Sequence, residues 1–455
     1  MSGFPPTLFA GRRFVVAGLG RAGLPAARAL AAMGADIRVW DDDRAAREAA
    51  GLPIADPTAP LAAEALILSP GIPHTLPAPH PMAARAREQG VPILSDTEML
   101  FRAVRAAGSR ARFAGITGTN GKSTTTALLA HMLERAQVPV AAGGNLGRGA
   151  LDLPLLGDDG VYVLEMSSYM LERIATLRFD VAAMLNLTPD HLDRHGDMAG
   201  YAAAKRAIFA RQGAEDCAVV AIDDENGRNL AQAMASGPAR LVRVTGGAGP
   251  ADWYAENGWL RNADGPIADL SAAPALPGTH NAQNAAVAGA MATALGVPAS
   301  AIAGAIASYP GLAHRQQRVA IVDGIAFVND SKATNADAAA PALSCYERLI
   351  WIAGGVAKAG GIASLAPYFP RIAKAFLIGR DGADFAATLA AAGVAHENVA
   401  TLDRAVPAAF AAARQMGVPV VLLSPAAASF DQFGGFEARG AHFAALANRL
   451  AVGAC

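Results

Sequence analysis

One ten-residue stretch restricts the fold of this chain more than any other. Gly115-Ile-Thr-Gly118-Thr119-Asn120-Gly121-Lys122-Ser123-Thr124 grows out of the apolar run Phe113-Ala-Gly-Ile and opens a helical run from Lys122 to Gln137. A strand that turns through glycines into a helix is part of a βαβ unit, and such units build parallel sheets covered by helices. The glycines let backbone N–H groups converge on phosphate oxygens, and the helix N-terminus adds positive potential. In this reading Lys122 meets the β- and γ-phosphates of ATP, and the Ser123 hydroxyl ligates Mg²⁺. The strict spacing G-x-x-x-x-G-K-[ST] is not met, because Ile116 holds the first position and Gly118 lies inside the loop. A Gly-Lys-Ser tripeptide is common by chance. The strand before it, the helix after it and the extra glycines make this one a phosphate cradle.

The same alternation runs along the chain. Phe14-Val-Val-Ala, Ile37–Trp40, Leu66–Leu68 and Val91–Leu94 read as buried strands, with a helix over 24–33. Val161–Glu165 and Val181–Leu185 follow the phosphate loop, and a long Ala-rich helix covers 281–295. Pro310-Gly311 reads as a linker, and strands recur at 326–329, 349–353, 375–378 and 420–423. The expectation is an α/β chain of three domains. Residues 1–100 form a Rossmann-like domain, 101–311 a central P-loop ATPase-type parallel sheet, and 312–455 a second Rossmann-like domain. With 53% hydrophobic and 17% charged residues the chain can bury cores of this size, which excludes global disorder. A net charge of −1 offers no basic stripe for nucleic acid. Cys217, Cys345 and Cys455 are too scattered for zinc or a disulfide framework and read as buried or incidental thiols. There is no signal-peptide layout and no long apolar span, so a cytoplasmic protein is expected, without membrane or nucleic-acid partners.

Polar residues gather at strand ends, where parallel sheets bind ligands. Glu165 ends an apolar strand, and His191 follows another within Asn186-Leu-Thr-Pro-Asp190-His191-Leu-Asp193-Arg-His195. A hard Mg²⁺ wants oxygen ligands. Glu165 and Ser123 supply two, and His191 could serve a second ion. Alone, His191 is more often a structural histidine, and Lys205 in Tyr201-Ala-Ala-Ala-Lys205 a solvated helix lysine. Near the N-terminus, Gly18-Leu-Gly20-Arg21-Ala-Gly23 with Asp41 beyond it reads as a dinucleotide fingerprint or as plain turn glycines.

Taken in order, these segments resemble the Mur ligase family, ATP-dependent amide ligases of peptidoglycan synthesis. The run 118–124 looks like the family's ATP loop. Glu165-Met-Ser-Ser resembles its Glu-x-Ser-Ser segment, 186–193 its Asn-x-x-x-Asp-His-x-Asp signature, and Leu276-Pro-Gly-x-His280-Asn281-x-x-Asn284 its adenine-side segment. Asp330-Ser-Lys332-Ala-Thr334-Asn335 and Leu423-Ser-Pro-Ala-Ala-Ala-Ser429-Phe430-Asp431-Gln-Phe resemble the D-glutamate-adding branch.

The resemblance implies roles at matching positions. Gly118–Thr124 with Asn281, Asn284, Arg315 and Asp330 would hold ATP. Ser123, Glu165, His191 and a carbamoylated Lys205 would hold two Mg²⁺ ions. Gly18, Gly20, Arg21, Asp41, Ser69, Gly71, Asn145 and His191 would hold UDP-N-acetylmuramoyl-L-alanine. Lys332, Thr334, Lys358, Ser429 and Phe436 would surround D-glutamate or its acyl acceptor, with Lys358 pairing a glutamate carboxylate. Lys122, His191 and Lys205 would carry the catalysis. The chemistry implied is phosphorylation of the L-alanine carboxylate by ATP, then attack of the D-glutamate amine on the acyl phosphate, with His191 or a metal-linked group as base. A monomer is expected. Departures occur at Arg21-Ala22, where a hydroxyl is frequent, at Asp42-Asp43, where Thr-Arg can occur, at Thr279 for a frequent Arg, and at Val356 for a frequent Asp. An L-glutamate ligase, a folylpolyglutamate-type ligase, a nucleotide switch and a dehydrogenase remain as alternatives.

Overall fold

The computed structural model describes residues 3–145, 147–358 and 360–453, with only the backbone of 452 and 453; Leu146 of the Gly144-Asn145-Leu-Gly run, and Cys455, lie outside them. The chain is mixed α/β with three sheets. The first contains β1 (Arg13–Ala17), β2 (Asp36–Trp40), β3 (Ala65–Leu68) and β4 (Ile93–Leu94), all parallel, in the order β2-β1-β3-β4. Strand order reverses at β1 and β3, so their C-terminal ends border a switch-point crevice. The expected strand 91–94 shortens to two residues. Pro92 has no N–H to give, although its carbonyl still accepts from Leu66 N at 2.9 Å.

The central sheet has nine strands: β5 (Arg112–Thr117), β6 (Val140–Gly144), β7 (Val161–Glu165), β8 (Val181–Met184), β9 (Cys217–Ala221), β10 (Arg240–Val244), β11 (Trp253–Glu256), β12 (Trp259–Asn262) and β13 (Gly265–Asp269). Their order is β13-β12-β11-β10-β9-β8-β5-β7-β6. Pairing is parallel from β6 through to β11, and β12 and β13 continue the sheet by antiparallel pairing that sequence reading did not foresee. Because β5 lies between β7 and β8, the loop that leaves β5 emerges beside the loops that leave both neighbours. The third sheet holds β14 (Gln317–Val322), β15 (Ile325–Asn329), β16 (Leu349–Gly354), β17 (Ile372–Ile378), β18 (His396–Ala400) and β19 (Val420–Leu423), in the order β14-β15-β19-β16-β17-β18. Only β14 runs antiparallel to its neighbour.

The residues form two compact units, Met1–Ala273 with Asn281–Tyr309, and Pro274–His280 with Pro310–Cys455. The first holds two sheets over one continuous core, which runs from Val16 and Leu30 to Phe113 and Leu164. A buried polar lock joins these two sheets. Glu98, fully buried, accepts from the N–H groups of Ala175, Thr176 and Leu177 at 2.9–3.0 Å and from the Thr176 hydroxyl at 2.6 Å. In return the Arg173 guanidinium donates to the carbonyls of Leu68 and Ser69, both at 2.9 Å, just past β3. The second unit takes in Pro310–Cys455 together with the segment Pro274–His280.

Candidate active site

The loop after β5 has the conformation its glycines permit. Gly118 (φ +151°) and Gly121 (φ +84°) both take values that side chains avoid. A Cβ on Gly121 would stand 2.4 Å from Asn284 Oδ1. That contact brings Asn284 to the loop: it accepts from the Thr125 hydroxyl at 3.2 Å and donates to Asn281 Oδ1 at 3.1 Å. Gly121 caps helix Lys122–Arg135, whose first turn carries Ser123, buried, and Thr124. The Lys122 ammonium folds back over the loop onto the carbonyls of Gly118 (2.8 Å) and Thr119 (2.7 Å). Asn186, just past β8, stitches the loop from the other side: its Oδ1 accepts from Asn120 N at 2.8 Å, and its Nδ2 donates to Asn120 O at 3.1 Å. Thr119 Oγ1 donates to Thr188 O and accepts from Thr188 N, each at 3.1 Å.

Lys205 is no solvated helix lysine. It is 2% exposed, and its amine donates to Gly118 O at 2.8 Å and stands 4.8 Å from the centre of the Tyr201 ring. Burial, then the charge of Lys122, pull its pKa down to about 6, against opposing pulls from Asp190 and Glu165. The amine is therefore largely neutral at pH 7 and nucleophilic. Glu165, at the end of β7, is 2% exposed. Its Oε1 accepts from Asn145 Nδ2 at 2.7 Å, while its buried Oε2 has no hydrogen-bond partner. His191 sits past β8 with φ +52° and a half-exposed ring 5.0 Å from that of Tyr169. Burial, aided by Lys205 and Lys122 and opposed by Asp190, keeps its imidazole below the usual range and so neutral. Among the described residues no three His, Cys, Asp or Glu side chains converge as a metal cluster. A buried carboxylate oxygen without a partner, close in the fold to a phosphate loop, nonetheless fits a hard cation that completes its shell with phosphate and hydroxyl oxygens.

A cleft of about 260 Å³ lies at the switch point of the first sheet. It gathers Gly20 and Arg21 from the turn after β1, Ser69 and Gly71 from the loop after β3, and Asn145 from the loop after β6. Gly18 and Asp41 shape this site rather than line it. Gly18 (φ +86°) has no room for a Cβ, which would meet Ser69 Cβ at 2.7 Å, and its carbonyl accepts from Ser69 Oγ at 2.7 Å. Both Asp41 oxygens are engaged, with Leu19 N at 2.6 Å and Asp43 N at 2.9 Å.

In the second unit the expected residues cluster at the C-terminal ends of β15, β16 and β19. Asp330 is buried; its Oδ2 accepts from Ser424 Oγ at 2.7 Å and its Oδ1 from Gln316 N at 3.2 Å. Burial pushes its carboxyl up to about 7. Arg315, half-buried, precedes Gln316. The Lys332 ammonium lies 5.2 Å from the Phe436 ring centre, and Thr334 N donates to Lys332 O at 2.9 Å. Ser429 is buried, and Lys358 is exposed just past β16. Sequence reading gave no role to Arg439. It is buried on a helix and donates to Ser331 Oγ (3.0 Å), Ser331 O (2.9 Å) and Ala427 O (3.0 Å), which binds the lysine-bearing loop to the serine-bearing one. Nothing local to Arg439 announces these partners. Asn186 and Ser424 carried a signal, since each directly follows a strand.

Comparison with known proteins converges on one family. A profile of the Mur ligase middle domain matches residues 116–292. A UDP-N-acetylmuramoylalanine–D-glutamate ligase from Paramagnetospirillum magneticum is 51% identical over 96% of this chain and 97% of its own length. The proteins of that name from Rhodospirillum rubrum and Phenylobacterium zucineum are each 47% identical, over 97% and 99% of this chain and 96% and 98% of theirs. Among solved structures, a UDP-N-acetylmuramate–alanine ligase from Thermotoga maritima superposes with a TM-score of 0.59 at 18% identity, over 96% of this chain and 99% of that one. A MurF structure from Acinetobacter baumannii does so at 0.60 and 18%, over 95% and 93%. These structural likenesses speak for the fold.

Proposed function

This chain belongs to the Mur ligase family, and from that premise we infer that it joins D-glutamate to UDP-N-acetylmuramoyl-L-alanine in peptidoglycan precursor synthesis. It is an ATP-dependent, ADP-forming amide ligase. A carboxylate does not acylate an amine in neutral water, because its oxygen leaves poorly. The L-alanine carboxylate attacks the γ-phosphorus of ATP and expels ADP. The acyl phosphate is then attacked by the D-glutamate amine, and the tetrahedral intermediate collapses to amide and phosphate. Most of the rate comes from positioning and from charge stabilisation.

The assignment of side chains is our proposal. The Lys122 ammonium leaves its loop carbonyls for the β- and γ-phosphates, while loop amides offset the repulsion between the anions. Asn281 and Asn284 fix the start of the nucleotide-side helix, and Arg315 and Asp330 extend the ATP site. Mg²⁺ would be held by Ser123 and by the unpartnered oxygen of Glu165, and when bound it supplies Lewis-acid neutralisation of phosphate charge. A neutral buried amine is the form that captures CO₂, so a carbamoylated Lys205, with His191, would hold a second ion. The 260 Å³ cleft receives the UDP-linked substrate. Lys332, Thr334, Lys358, Ser429 and Phe436 receive D-glutamate. We place the reaction in the cytoplasm, where ATP and UDP-sugars are found, and take the chain to act as a monomer.

The observation that carries this reading is the meeting, at the C-terminal ends of adjacent strands of the central sheet, of a phosphate loop, a buried neutral amine and a carboxylate with a spare oxygen. The test is release of inorganic phosphate across an amino-acid panel containing both glutamate enantiomers. Release that requires UDP-N-acetylmuramoyl-L-alanine and D-glutamate together is expected. Release with L-glutamate instead, or with neither substrate, would overturn the reading.

A further inference from the structure

Asp96 opens helix Asp96–Ala106 and forms part of the wall of the 260 Å³ cleft. It is 4% exposed. Its Oδ2 accepts from Ala150 N at 3.0 Å, which ties it to the loop leaving β6. Its Oδ1 is buried and has no hydrogen-bond partner. A buried acceptor in that condition is costly unless something else satisfies it. The composition of the wall says what that could be. Among the described lining residues Asp96 is the only carboxyl. Arg21 brings the cleft a charged donor suited to phosphate, while the Gly144 N–H and the Asn145 side-chain amide are already given to Arg148 O and Glu165 Oε1. Ser69 Oγ donates to the Gly18 carbonyl. A buried carboxylate oxygen left without a donor calls for one, and a substrate hydroxyl can supply it.

We propose that Asp96 is a specificity-determining residue whose Oδ1 accepts a hydrogen bond from a hydroxyl group of the UDP-sugar substrate. Burial raises its carboxyl only to about 6, so the acceptor form dominates at neutral pH. A site that hydrogen-bonds a substrate hydroxyl rejects the analogue lacking it, because the buried partner is then left unpaired. The inference rests on the cleft being the UDP-substrate site.

The test compares wild type with Asp96→Asn. Asparagine keeps the shape and an oxygen for the Ala150 amide, but places an NH₂ donor where the acceptor was. Calorimetric titration with UDP-N-acetylmuramoyl-L-alanine is expected to show binding weakened at least tenfold, with ATP affinity unchanged and the melting temperature no lower than that of wild type. Titration with UDP alone separates the two sources of hydroxyl: a matching loss assigns the ribose, and an unaffected UDP affinity assigns the amino-sugar moiety. Deoxy analogues of the assigned moiety should bind both proteins equally. An unchanged affinity, or a loss that parallels falls in melting temperature and ATP affinity, overturns the role of Asp96. If the asparagine variant does not fold, Asp96→Ser, whose hydroxyl can still meet the Ala150 amide, answers the same question. Failure of the wild-type protein to bind the UDP-sugar at all would instead overturn the functional reading.

Discussion

At Lys205 the cost of a residue to the fold and its use in the reaction pull in opposite directions. Folding takes its amine from water, where it titrates near 10.5, to a place where burial and then Lys122 hold it near 6. Between those values the unfolded chain binds more protons than the folded one. Stability therefore rises with pH across the window, by about 1.4 kcal/mol per pH unit. At pH 7 the gap still costs about 5 kcal/mol. Hydrogen bonds from the amine to Gly118 O and Thr117 Oγ1 return roughly 1 kcal/mol each. Methionine fills nearly the same volume and does not titrate. Lys205→Met should thus raise stability by about 2–4 kcal/mol at pH 7, flatten its pH dependence between 6 and 8, and abolish ligation. The assay is urea unfolding at several pH values in CO₂-free buffer, alongside phosphate release with and without added bicarbonate. Bicarbonate should stimulate the wild type and leave the variant inert. A methionine variant no more stable than wild type, or a wild type whose stability is flat over that range, would refute the reasoning.

Other substitutions probe the same framework. Gly121→Ala forces an alanine into φ +84° and drives a methyl to 2.4 Å from Asn284 Oδ1. Strain of about 1–2 kcal/mol, with loss of the Asn284 bonds, should raise the KM for ATP at least tenfold, and an unchanged KM would count against the loop assignment. Glu98→Ala strips the acceptor from three backbone N–H groups and a hydroxyl. It should cost about 3–5 kcal/mol in urea unfolding, and less than 1 kcal/mol would mean that the lock between the two sheets is not structural. Asp330 has a raised pKa, so the folded chain binds more protons between 3.8 and about 7 and stability falls as pH rises through that window. Asp330→Asn should remove this fall, measured as the difference in unfolding midpoint between pH 5 and pH 8; a slope identical to wild type would show that the carboxyl is not the cause.

What the sequence made legible follows from where the physics is local. The phosphate loop could be read because its chemistry lies in backbone geometry, and only glycine at 118 and 121 tolerates the dihedral angles required. The β–α alternation was legible for the same reason, since strands buried on both faces read as unbroken apolar runs such as Leu66–Leu68. Short polar strands, and one interrupted by proline, were not. The hairpin strands Trp253–Glu256 and Trp259–Asn262 alternate weakly and carry charge, and the strand expected from Val91 contracted because a proline removed its donor. The greatest gap concerns residues whose meaning is set by partners far along the chain. Lys205 looks like any helix lysine until the carbonyl of Gly118, 87 positions away, accepts its hydrogen bond. Arg439 gains its role only when residues 331 and 427 come to it. Glu98 and Asp96 stand two positions apart on one helix turn, and a sequence gives no ground to separate them. In the fold Glu98 has every acceptor site filled, whereas Asp96 keeps one oxygen unpaired in the wall of a cleft. At this helix the filled shell belongs to the residue that holds the structure together, and the unfilled one to the residue proposed to meet the substrate. That distinction separates scaffold from site at this helix, and only the three-dimensional arrangement supplies it.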